Sequence, residues 1–393
     1  MLKSRFPNLP RWLVVAFAIS AAFLLVVLPS IGLVVGLRAD FMAFYAAGLA
    51  ILRGEADQLY NAEVLREWQV ALVGPYKGTR FVYLPIYAVL YVPFAAQSLL
   101  VARALWFAFS VGILSIALRV SRQWSGLSGW ESALAFLAFP GSYALFIVGQ
   151  NSPLTLLLFA LIGGLMWRNR VGFMAGVLAG IALYKPQLLV SLLALWVWRK
   201  EWRALGGFAV AAGAVGLGSF AIHVPTTLAF LSQGQGLLSK TIVEGLGANA
   251  SPWAELRHLV PLEAVSPVGG LLSLLGLGAL LLAWRGSGPV GPYQHAMLWL
   301  APLLVTPYVA SYDLVLLLLP LSFLARRLKG DRLMQAGVAL LWIGPFGNLL
   351  LAEWILPSVW GAFLVYGLCF WRARTPLANT MPVPSLSNTS TLS

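Results

Sequence analysis

Apolar residues recur along this chain in blocks separated by short polar or basic breaks. The blocks fall at 12–36, 101–119, 131–148, 152–167, 171–184, 186–198, 204–223, 268–284, 294–308, 311–325, 333–352 and 354–371. A helix that crosses a bilayer core needs about 17–25 mostly apolar residues. The pattern predicts an all-α polytopic membrane protein of about 12 transmembrane helices, organised as one domain over 1–374. The blocks at 171–184 and 186–198 are short, as expected of helices that end below the bilayer surface beside a cavity. The first block is longer than a signal-peptide core and lacks an obvious small-residue cleavage site, so it reads as a retained helix.

Two segments between blocks are too long to be turns. The segment 37–100 carries five acidic residues, Trp68 and Tyr76. Within it, Phe41, Phe44, Tyr45, Leu49 and Leu52 recur at helical spacing and predict a helix lying along the interface. The stretch 83–97 has Pro near both ends and too few residues to span, which predicts a re-entrant or interfacial helix. The second long segment, 224–267, is polar with scattered Pro. The tail, 375–393, is rich in Ser, Thr and Pro and is expected to be disordered.

Charge supplies an orientation. Only 10% of residues are charged and 60% are hydrophobic, against about a quarter charged in soluble domains. The net charge of +13 would suit nucleic acid if clustered, but the basic residues sit at block ends, so no nucleic-acid partner is expected. With the N-terminus cytoplasmic, 17 of the 26 basic residues and three acids fall inside, and 9 basic residues and 10 acids fall outside. Every inside turn then carries Lys or Arg, as the positive-inside rule requires. Both termini are cytoplasmic on this reading, and both long segments face outward. The 16 Trp and 12 Tyr suit the two membrane interfaces. A single cysteine, Cys369, leaves no disulfide within the chain.

This orientation gathers four polar clusters at the outer face: Asp40; Gly149-Gln150-Asn151; Tyr184-Lys185-Pro186-Gln187; and Tyr308, Tyr312 and Asp313. Ionisable groups at membrane depth are costly and mark function by default. Asp40 suits a general base and equally an N-cap for a helix starting at Phe41. Lys185 suits a phosphate oxygen or a lysine snorkelling to the interface. Gln150 and Asn151 suit sugar hydroxyls or phosphate oxygens, or a helix C-cap and turn after Gly149. Asp313 suits a supporting partner for a basic group, with Tyr312 beside it. Arg38 and Arg80 flank the first outer segment, where they meet a lipid phosphate or anchor at the interface. No His pair has metal-ligand spacing, and HExxH, CxxC, Walker A and GxGxxG are absent, so a soluble nucleotide site is not indicated.

In order along the chain, DFMAFYAAG (40–48), FVYLPIYAVLYVPF (81–94), GQN (149–151), YKPQ (184–187) and SYDL (311–314) resemble the polyprenol-phosphate-mannose-dependent mannosyltransferase-like proteins, glycosyltransferase family 87 of the GT-C superfamily. Leu84 stands where that family usually has Pro, and 249–258 matches only loosely, so no role attaches to it. The resemblance implies a GT-C bundle in which interfacial helices of the first outer loop cover a cavity. It implies a polyprenyl-phosphate-linked sugar donor, a lipid or glycan acceptor, inversion at the anomeric carbon, and Asp40 as the base. Donor phosphate would be held by Lys185, Arg38 and Arg80, with Gln150, Asn151, Tyr184, Gln187, Tyr45 and Tyr83 touching sugar or phosphate. A phosphomonoester leaving group needs less metal assistance than a pyrophosphate, so no metal and no cofactor are expected. The expected location is a bacterial-type inner membrane with the active site extracytoplasmic. The rivals are a secondary transporter or lipid flippase, with Asp40, Lys185 and Asp313 as a relay, and a non-catalytic scaffold. Transporter sites usually lie at the midplane, whereas these groups gather at one face.

Overall fold

The computed structural model describes residues 36–232, 249–285, 290–328, 331–351 and 356–374, with positions 15, 18, 21 and 22 before them. The block at 12–36, most of it, and the tail at 375–393 therefore lie outside the described residues. The described chain is helical. Among the described residues, three helices are long and apolar enough to cross a membrane: α4 (Leu99–Ser125), α10 (Trp202–Ile222) and α11 (Leu262–Ala283). Their outer faces are apolar and bare, with Leu217 74% and Leu274 69% exposed. Apolar faces on this scale mark contact with a non-aqueous partner, here the bilayer.

The block at 131–148 is not one straight helix. It divides into α5 (Gly129–Ala138) and α6 (Pro140–Val148), bent by 66°. Pro140 has no N–H and disfavours helical backbone at the residue before it; Phe139 is extended, with φ −85° and ψ 116°. The pair is either a broken span or a re-entrant loop. At its entrance, Ser128 and Glu131 form a reciprocal capping box (3.2 and 2.8 Å), which explains a fully buried acid on the basic side of the protein.

Shorter helices complete the bundle: α7 (Ser152–Trp167), α8 (Phe173–Tyr184) and α9 (Pro186–Trp198). α8 ends in a 3-10 turn at Ala182–Tyr184 and α9 begins in one at Pro186–Leu189, because Pro186 cannot continue the ladder. α8 lies directly on α10. A Cβ on Gly176 would strike the Ala204 carbonyl, and one on Gly207 would strike the Phe173 carbonyl. Small residues thus let two backbones touch, the usual device where lipid removes the hydrophobic drive for helix association. At the centre, nearly every residue of α12 (Pro292–Val305) is buried. The block at 311–325 starts as a 3-10 helix (Ser311–Leu317) and becomes α-helical only over Leu318–Leu324. The last two helices span Arg332–Leu351 and Leu356–Arg374, joined at their basic ends by Arg372 on Asp331 (2.9 Å).

The first outer segment folds into α1 (Phe41–Leu52), α2 (Ala62–Val73) and the helical stretch Pro85–Ala95, α3. The periodicity of 41–52 predicts one apolar stripe. Instead, α1 is buried on almost all faces from Phe41 to Ala50, leaving Leu52 exposed. Its remaining positions are alanine and glycine, which close packing accepts: a Cβ on Gly48 would come within 2.8 Å of the Tyr91 carbonyl. α1 therefore packs into the protein, with Phe44 stacked on Tyr91 (4.5 Å) and Phe41 beside Trp106 (6.3 Å). α3 buries Pro85, Ala88, Tyr91 and Ala95 and exposes Val89 and Leu90.

Candidate active site

Asp40 stands at the N-cap position of α1, yet its own backbone is helical and its side chain caps nothing. The carboxylate instead accepts a hydrogen bond from Gln150 Nε2 (2.8 Å). This contact depends on a tight turn. Gly149 closes α6 in left-handed conformation (φ +71°), and its N–H and that of Gln150 both return to the Leu145 carbonyl (2.8 and 3.1 Å). A side chain at Gly149 would meet the Arg103 guanidinium and come within 2.7 Å of Phe41 Cβ. Trp106 Nε1 donates to the Gly149 carbonyl (2.9 Å), and Arg103 bonds the Phe146 carbonyl and that of Ile147 (3.0 Å). The turn is clamped from α4, so Gln150 meets Asp40 at a fixed place.

Lys185 is 4% exposed, so it does not snorkel to the interface. Its ammonium lies 2.5 Å from Asp313 Oδ1 and 3.0 Å from Ser152 Oγ, and 5.1 Å from the Tyr312 ring centre. Ser152 Oγ also donates to Asp313 Oδ1 (2.7 Å). Three groups from distant parts of the chain therefore share one buried ion pair. The lysine is lifted out of the α8–α9 path by its backbone (φ −128°, ψ 66°).

Tyrosines line the surroundings. Tyr184 shares a hydrogen bond with Thr155 (2.9 Å) and meets Tyr83 edge-on (6.1 Å). Asn151 Nδ2 donates to Tyr91 OH (3.4 Å), and Asn151 N–H to Gln150 Oε1 (3.0 Å). Asp40 is half-buried, and burial raises its pKa above the usual carboxylate range. The Gln150 hydrogen bond and the charges of Lys185 and Lys77 oppose that shift, while Asp313 adds to it.

Other residues singled out from the sequence stand elsewhere. Arg38 is exposed and donates to the Val73 carbonyl at the end of α2 (2.8 Å), so its guanidinium is engaged there. Arg80 is exposed, and Gln187 is half-buried beyond Lys185. Tyr45 spends its hydroxyl on the Gln97 carbonyl (2.7 Å). Two features escape sequence reading. Lys77 is a cation whose charge reaches Asp40, in a loop bracketed by the fully buried Gln69: Gln69 bonds Thr79 at both its carbonyl (2.8 Å) and N–H (2.9 Å), and bonds Tyr76 OH. The other is the 249–251 segment, which pairs with residues leading to Asp313. Gln69 carries no charge or motif that would single it out, and Asn249 falls in a stretch whose sequence matches only loosely and points to no role at the site. Among the described residues no group of three His, Cys, Asp or Glu side chains gathers at one point.

Long apolar helices with bare outer faces, and polar groups collected among them, define an integral membrane protein with a buried polar site. Residues 81–286, just over half of the chain, match glycosyltransferase family 87; the chain belongs to that family and is a membrane glycosyltransferase. No curated protein and no solved structure matches it.

Proposed function

We propose that the protein transfers a sugar, mannose or another hexose or pentose, from a polyprenyl-phosphate donor to a lipid or glycan acceptor. The reaction takes place on the extracytoplasmic face of a bacterial-type inner membrane, with inversion and with Asp40 as general base, within a GT-C bundle of about 12 spans. The observation that carries the proposal is the disposition of Asp40. A carboxylate placed to cap a helix, but withheld from the cap and held by a neutral amide, keeps an oxygen for an incoming hydroxyl. Its raised pKa favours it as a proton acceptor.

The step needs few groups. Asp40 takes the acceptor O–H proton as that oxygen forms a bond to the anomeric carbon from the face opposite the phosphate. The bond from the anomeric carbon to the phosphate oxygen breaks, and the electron pair leaves with the polyprenyl phosphate. An ammonium has three donors, and Lys185 spends two on Asp313 and Ser152. The third is left for a phosphate oxygen, where charge develops in the transition state. Asp313 and Ser152 hold the lysine in place. Lys77 and exposed Arg80 add positive potential at the rim. Gln150 holds Asp40, and Asn151, Tyr184, Gln187 and Tyr83 face the sugar. Arg38 and Tyr45, committed to backbone carbonyls, are left out of this assignment.

The purified protein, incubated with a panel of polyprenyl-phosphate sugars and lipid or glycan acceptors, should consume one donor and yield a glycosylated product of inverted configuration. Ion-coupled flux with no glycosylated product from any donor would replace this reading with a transporter built on the Lys185–Asp313 pair.

A further inference from the structure

Asn249 is fully buried, and its carboxamide is used at both ends. Nδ2 donates to the Pro307 carbonyl (2.8 Å), while Oδ1 accepts from the N–H groups of Val309 and Ser251 (3.0 Å each). The backbone joins in: Asn249 and Ala310 form an antiparallel bridge, and Ala250 N–H donates to the Val309 carbonyl (2.6 Å). Ser251 Oγ adds a second bond to the Pro307 carbonyl (2.9 Å). The side chain thus does for the 307–309 segment what a neighbouring strand would do, satisfying the buried Val309 N–H and sharing the Pro307 carbonyl with Ser251.

The segment it holds leads directly to the site. Tyr308 lies within it, and Asp313 N–H donates to the Ala310 carbonyl (2.8 Å). Asp313 in turn fixes Lys185 and Ser152. A continuous set of hydrogen bonds runs from Asn249 through 309–310 to the ion pair. Asn249-Ala250-Ser251 has the N-x-S form of a glycosylation acceptor, but an amide buried and bonded at both ends is unavailable for modification. Aspartate keeps the acceptor and loses the donor facing Pro307; glutamine shifts both amide atoms by a methylene; alanine loses the side-chain bonds and keeps the backbone bridge.

We propose that Asn249 is a positioning residue: it sets the wall formed by Tyr308, Tyr312 and Asp313, and through Asp313 the place of Lys185. Its effect on catalysis rests on the transfer function proposed above; its effect on geometry does not.

The test uses the full chain in lipid nanodiscs with a cysteine introduced by Tyr308→Cys, or by Ser311→Cys if the first fails to fold. Labelling by a small maleimide is mapped by mass spectrometry, and buried Cys369 serves as internal control for global loosening. Asn249→Ala should speed labelling of the introduced cysteine by about tenfold or more and leave Cys369 unchanged, with Asn249→Asp between alanine and the parent. In the otherwise native chain, Asn249→Ala should raise the donor KM. Combined with Asp313→Asn, its effect should be clearly less than additive, as for residues acting through one network. An unchanged labelling rate, or equal acceleration at Cys369, overturns the proposal. So does strict additivity with Asp313→Asn. If the native protein turns over no donor in the panel, the transfer reading fails while the labelling result still decides the role of Asn249.

Discussion

Asp40 shows how one carboxylate is read differently once its surroundings are known. At the N-cap position the cheap role is a cap, worth about 1 kcal/mol. The structure gives it a helical backbone and an amide partner 110 residues away in the chain instead. Asp40→Asn preserves size and removes basicity, so transfer should fall by roughly 100-fold or more, measured as product formed at saturating donor. The rate in the native protein should rise with pH along a limb displaced above the ordinary value of about 3.9. Stability follows with a definite sign. A carboxyl whose pKa is raised by folding adds stability below its unfolded pKa and loses it as pH rises through the folded value. Asn is neutral throughout, so Asp40→Asn should melt higher than the parent at neutral pH and about equally at acid pH. A lower melting temperature at pH 7 would contradict the burial-driven shift.

Lys185 carries the opposite lesson. Removing one partner of a buried ion pair leaves an uncompensated charge, at a cost of about 3–5 kcal/mol. Lys185→Ala should therefore destabilise the protein as well as weaken donor binding, and activity loss alone would not assign it to the phosphate. Lys185→Met combined with Asp313→Asn removes both charges and should recover most of the melting temperature. Donor binding should remain lost, as seen in a competition assay with polyprenyl monophosphate. Recovery of donor binding in the double variant would leave Lys185 a purely structural residue.

At the scale of elements, helix ends do the positioning. The Gly149 turn brings α6 to a stop, presents Gln150 to Asp40, and admits no side chain because Arg103 and Phe41 occupy the space. Gly149→Ala should cost about 1–2 kcal/mol for the left-handed backbone alone, and more for the displaced neighbours. Transfer should fall beyond what the stability loss explains when assayed well below the melting temperature. The α8–α10 contact makes a separate prediction. Gly176→Leu or Gly207→Leu forces two backbones apart, so the melting temperature should drop in either variant. Equivalent substitutions at Gly206 or Gly213, where a Cβ meets nothing within 4 Å, should be well tolerated.

Across the whole molecule, orientation decides whether the site is accessible to an extracytoplasmic donor. Cysteines introduced one at a time within 55–80 should react with an impermeant reagent added outside intact cells. Those at 326–328 should react only after permeabilisation. Labelling of 55–80 from the cytoplasmic side would invert the assignment for Asp40. The charge asymmetry predicts this outcome strongly, since Lys and Arg set orientation through the end regions of each span.

The sequence by itself determined that this is a helical membrane protein, and roughly where the apolar helices of the described residues run. Apolar blocks and their basic flanks are local signals that survive without any knowledge of packing. It also marked Asp40, Gln150, Lys185 and Asp313, because a polar group in an apolar run is conspicuous in one dimension. Only the tertiary structure decided that Lys185 and Asp313 form one pair and that Asp40 is held by Gln150 rather than by its own helix. It also decided that Arg38 and Tyr45 are engaged with backbone carbonyls and that α1 is buried on almost all faces. Phe139–Pro140 became a 66° bend within an apolar run whose composition alone reads as one span. Partner choice is a property of distances between residues far apart in sequence. The buried amides of Gln69 and Asn249 carry no charge or spacing that could announce, before folding, which backbone groups they would satisfy.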